Sequence, residues 1–88
     1  MGEFIALIDL IPEDTEVDFE KLISEIKKLL PKTCKIENYE VMPVAFGLKK
    51  ARVRARYPEE WGGTDRIEEL FGQVKGLQGI EAIAFSKA

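Results

Sequence analysis

The sequence predicts an α+β fold of element order βαββαβ, a four-stranded antiparallel sheet with two helices on one face. Three observations predict it. Two segments carry apolar residues at helical spacing, and four others carry short apolar runs or alternation, with Pro and Gly between them. The pattern strand–helix–strand occurs twice, over 3–42 and 46–86, as a repeat of architecture without a repeat of sequence. Finally, the chain has 88 residues, the size of one domain. A domain this small buries only about 60–65% of its unfolded surface, so both helices must share one core. Right-handed crossovers then give the ferredoxin-like split βαβ arrangement, with the first and third strands central.

Residues 3–11 (EFIALIDLI) are apolar apart from the interior charge of Asp9 and stop at Pro12, which predicts a strand buried on both faces or nearly so. In the cluster PEDTEVD, Asp14, Thr15 or Asp18 is placed to cap a helix. That helix follows in Phe19, Leu22, Ile23, Ile26, Leu29 and Leu30, with acids early, bases late and Pro31 as the stop. Residues 33–42 alternate loosely and predict an edge strand. Pro43 and Gly47 bracket a bend. Beyond it Ala51, Val53, Ala55 and Tyr57 share one strand face, and Lys50, Arg52, Arg54 and Arg56 the other. PEEWGG predicts a loop whose Trp61 caps the core edge, with a contact role as the open alternative. A second helix is predicted from Thr64 or Asp65, with Asp65 and Glu68 at capping-box spacing. Its stripe is Ile67, Leu70, Phe71, Val74 and Leu77, ended by Gly76 and Gly79, and a short strand over 80–86 follows.

Composition excludes much chemistry. There is no histidine, so no Ser-His or Cys-His pair, imidazole base or histidine metal site exists. The single cysteine, Cys34, cannot form an intramolecular disulfide and reads as a small apolar residue. A binding role leads, with no cofactor. No apolar run approaches the roughly 20 residues of a membrane helix. The start MGEFIALIDL has an acid where an export signal has bases, so a reducing cytoplasm is the expected location.

Net charge is −3, which argues against general nucleic-acid binding, yet Lys49, Lys50, Arg52, Arg54 and Arg56 are five of the thirteen basic residues. Two readings of this strand stand side by side. It is a cationic surface for RNA or an acidic protein, or it is a solvated face paired with Glu37, Glu40 or Glu81 across the sheet. RNA stacking requires interleaved aromatics, and the exposed positions are arginines instead. The bend likewise has two readings, Phe46 as an anchor for a partner or folded back over the core. Lys87, near the chain end, reads by itself as a frayed solvated charge.

The block Pro43-Val44-Ala45-Phe46-Gly47-Leu48-Lys49-Lys50, the helix opening Gly63-Thr64-Asp65 and the stretch from Gly79 through Ala84-Phe85-Ser86-Lys87 resemble the translation elongation factor 1-beta family. The likeness covers essentially the whole chain, as in the short archaeal form, and includes the opening strand followed by P-E-x-x-E-V-D. It implies the same fold and a single guanine-nucleotide-exchange domain over 1–88. The implied partner is elongation factor 1-alpha in its GDP-bound form, with no membrane or direct nucleic-acid contact and no covalent chemistry. It further implies that the aromatic of the bend, Phe46, and the tail lysine, Lys87, touch the GTPase. Gly47, Lys49, Lys50 and Phe85 lie in the same two blocks and are expected to join them. Ala45 departs from the family, where eukaryotic members have a second glycine, and so does the small last residue Ala88. Arg52, Arg54 and Arg56 are expected to steer the domain toward an acidic partner surface. The alternative is an RNA-binding or small regulatory module on the same fold.

Overall fold

A computed structural model describes residues 2–13, 16–44 and 47–87. Strand β1 is Glu3–Pro12, helix α1 Phe19–Leu29, β2 Lys35–Pro43, β3 Lys49–Pro58, α2 Asp65–Phe71 and β4 Leu77–Lys87. A short 3-10 turn, Glu59–Trp61, follows β3. The strands form one antiparallel sheet in the order β2-β3-β1-β4, so the first and third strands are central, as expected.

Alternation along β1 and β3 builds the core. Ala6, Ile8 and Leu10 pair with Ala55, Val53 and Ala51, and all six are fully buried beneath the helices. Alanine at three of these positions leaves room for the bulkier Leu22, Ile23 and Ile26 of α1 and for Ile67 and Phe71 of α2. Helix α1 starts where Asp18 accepts a hydrogen bond from the Lys21 amide at 3.3 Å. It ends at Leu30, ahead of Pro31. The other predicted caps, Asp14 and Thr15, lie outside the described residues.

The second helix is shorter than its apolar stripe predicts. It ends at Phe71, and β4 begins at Leu77 rather than at 80. The chain goes on coiling after Phe71, but through tighter bonds from the Gln73 and Val74 amides to the carbonyls three residues back, each 3.3 Å. Val74 is therefore buried at its periodic position without being helical. Leu77 pairs with Pro12 as the first residue of the strand. The predicted capping box does not form. Thr64 is the N-cap, and its side chain makes no capping bond.

Candidate functional site

The two blocks singled out by sequence sit at opposite ends of the sheet. Lys49 pairs with Pro43 beside the bend, whereas Lys87 pairs with Phe4, which in turn pairs with Tyr57. Eight residue steps of β3 separate these levels, about 26 Å at the usual strand rise.

At the bend, the Val44 amide bonds the Leu48 carbonyl at 2.8 Å and closes the hairpin. Gly47 has φ +80°, and a Cβ there would meet nothing within 4 Å, so glycine is needed for conformation and not for space. Phe46, together with Ala45, lies outside the described residues. Val44, at 53% exposure, and Lys49 face solvent at this end of the hairpin.

At the tail, a bulge decides which way the side chains point. Leu7 pairs with Ala84 and Ile8 with Ala82, leaving Ile83 as an extra residue. Without the bulge, Phe85 and Lys87 would share the face of Glu81. With it, Phe85 pairs with Ala6 and Lys87 with Phe4, on the helix side of the sheet. Phe85 is half exposed and meets Phe4 edge-on at 5.5 Å. Phe4 meets Tyr57 at 5.8 Å, and Tyr57 stacks on Trp61 at the same distance. Arg66 covers Trp61, its guanidinium carbon 5.0 Å from the ring centroid. Trp61 thus caps the core edge, as expected from sequence. Lys87 is 78% exposed, with Nζ 3.4 Å from Glu59 Oε1.

Lys50, Arg52, Arg54 and Arg56 of β3 line the sheet face away from the helices, and each has an acidic partner. Arg52 donates to fully buried Asp9 through Nε at 2.8 Å and Nη2 at 3.2 Å, and Lys50 Nζ lies 2.8 Å from the same carboxylate. These two cations, Arg52 foremost, hold the Asp9 carboxyl below its ordinary pKa against the opposing effect of burial. Glu37, the extra residue of a bulge in β2, binds both Arg54 and Arg56, and Glu3 takes the remaining side of Arg56. Of the three expected acids Glu37 forms ion pairs, while Glu40 and Glu81 act on Arg52 only through longer-range attraction. No aromatic side chain lies on this face among the described residues. Cys34 is buried, which pushes its thiol up to about 11.

Sequence reasoning missed Asp9, Glu3 and Glu59 as partners. The first was signalled, because an isolated carboxylate in an apolar strand needs a cation and the antiparallel register sets it opposite Arg52. Glu59 was not, since its position depends on the turn after β3. Among the described residues no three of Cys, Asp and Glu converge on a metal site, and no helix is long and apolar enough to cross a membrane.

Comparison with known proteins shows what the whole chain is similar to. The chain matches the EF-1 guanine nucleotide exchange domain over residues 5–88. It is 38% identical over 85 residues to an elongation factor 1-beta of Staphylothermus marinus, covering 96% of this chain and 94% of the relative. Similar proteins of the same name occur in Metallosphaera sedula, 34% identical with 99% and 97% coverage, and in Hyperthermus butylicus, 33% identical with 96% and 92%.

Proposed function

The chain belongs to the EF-1 guanine nucleotide exchange domain family, and from that premise we propose that it speeds GDP release from elongation factor 1-alpha in the cytoplasm by gripping the GTPase with both ends of its sheet. The observation that carries the two-ended grip is the roughly 26 Å of β3 between bend and tail, a span no single pocket accommodates.

At one end Lys87 offers an ammonium on a flexible four-carbon stem, mostly in water. A GTPase holds its nucleotide partly through magnesium, which demands near-octahedral oxygen coordination. A point charge brought close to that site disturbs it without reproducing the coordination. Phe85, half exposed beside it, supplies apolar contact area at the same edge. At the other end the ring of Phe46, with Gly47, Lys49 and Lys50, wedges against a second region of the GTPase and shifts segments that support the nucleotide loop. Arg52, Arg54 and Arg56 contribute steering only to the extent that their carboxylate partners leave their field unbalanced. Factor and nucleotide weaken each other's binding equally, so GDP leaves, and GTP entry expels the factor. The chain makes and breaks no bond in this scheme.

The test is stopped-flow release of a fluorescent GDP analogue from elongation factor 1-alpha. Phe46→Ala and Lys87→Ala are each expected to slow stimulated release at least about tenfold, equivalent to about 1.4 kcal/mol, while the melting temperature stays near wild type. Wild-type rates in both variants refute the assignment.

A further inference from the structure

We infer that Glu59 is a positioning residue that restrains Lys87 on the free domain and must release it before the lysine can act on the GTPase. The inference rests on the reading of Lys87 given above and adds to it what holds the ammonium beforehand.

Three chain segments converge at this end of the sheet. Strand β3 ends at Pro58, and the turn Glu59–Trp61 folds back at once. The Glu59 amide donates to the Gly2 carbonyl at 3.1 Å, which fixes the turn against the start of β1. Trp61, stacked on Tyr57, fixes its other end. The Glu59 side chain then lies over Gly2. A Cβ at Gly2 would sit 3.0 Å from Glu59 Cδ and 3.1 Å from both carboxylate oxygens, so only glycine leaves the carboxylate this position undisturbed. From there Oε1 reaches Lys87 Nζ at 3.4 Å. The β4 bulge completes the arrangement by directing Lys87 to the side of the sheet where Phe4 lies. Glu59 is only 32% exposed and its main-chain amide is tied to Gly2, whereas Lys87 is 78% exposed on a flexible stem. Glu59 is thus the more restrained member of the pair and the lysine the one that leaves.

An ammonium bound to Glu59 is not available to a second anionic site, so the pair competes with the GTPase. Exposed pairs are weak, which sets the size of the effect at about two- to fivefold at low ionic strength. Salt screens such pairs, and the effect fades by about 0.5 M.

The experiment is stimulated release of the fluorescent GDP analogue at sub-saturating amounts of the full chain. Glu59→Gln removes the charge, and Gly2→Ala displaces the carboxylate while leaving both charged residues in place. Both variants are expected to release GDP about threefold faster than wild type at low salt, and equally fast at high salt. In a Lys87→Ala background neither substitution should change the rate, a dependence that a purely structural role of Glu59 would not produce. Thermal melts accompany each variant, and Gly2→Ala carries the test if Glu59→Gln melts early. Unchanged or slower release in Glu59→Gln and Gly2→Ala, with Lys87→Ala impaired, overturns the restraint and leaves the role of Lys87 standing. Acceleration that persists in the Lys87→Ala background also overturns it. A wild-type rate for Lys87→Ala alone removes both the lysine's role and the restraint.

Discussion

Replacing Asp9 by Asn is the most informative perturbation of the fold, because it changes one charge at nearly constant volume. Asp9 is fully buried and receives Arg52 through two nitrogens and Lys50 through a third. Removing one member of a buried ion pair typically costs about 3–5 kcal/mol. Arg52 and Lys50 are 33% and 25% exposed, so both can swing partly into water and recover some hydration. Asn also keeps one acceptor oxygen. The expected loss is therefore about 2 kcal/mol, or a fall in melting temperature of about 8–16 °C for a domain of this size. Urea unfolding followed by circular dichroism measures it. The pH dependence provides a second readout. Asp9 titrates below its unfolded value of 3.8, so its contribution is complete above that pH and disappears as pH falls through the lower folded value. Wild type and variant should therefore converge in acid and diverge toward neutrality. A loss under about 0.5 kcal/mol at pH 7, or a difference independent of pH, refutes the reasoning and means that the desolvation of Asp9 cancels its ion pairs.

Three further outcomes are expected. Tyr57→Phe should be neutral or stabilising by up to about 1 kcal/mol in the same urea assay, since the buried Tyr57 hydroxyl finds no hydrogen-bond partner among the described residues. Gly47→Ala should destabilise by about 1 kcal/mol, because its positive φ is strained for any residue with a Cβ. The Cys34 thiol, buried and raised to about 11, should react with a disulfide reagent at pH 8 only as fast as the protein opens; labelling as fast as in a free peptide would contradict its burial.

Strands β1, β2 and β3 and helix α1 were legible because their signals are local. Ala51, Val53, Ala55 and Tyr57 alternate strictly with basic residues, and α1 carries its own cap and stop. The end of α2 was not legible, because Val74 keeps helical periodicity while its backbone bonds tighten. The side of the sheet that Phe85 and Lys87 occupy was hidden for a different reason. It depends on a pairing irregularity against β1 that no property of the tail residues announces. The basic face was half legible. Glu37 could be named as a cross-strand partner, whereas Asp9 required the register of two strands some forty residues apart, as the 43-residue separation of its bond to Arg52 makes plain.

The extra residue Ile83 gives the last strand something like a parity bit. Where the terminal ammonium aims is encoded in how many residues precede it, and not in which ones. Substitutions throughout that edge can accumulate without turning the lysine around, whereas loss of a single residue upstream would leave every chemical group of the tail present and send it to the wrong side.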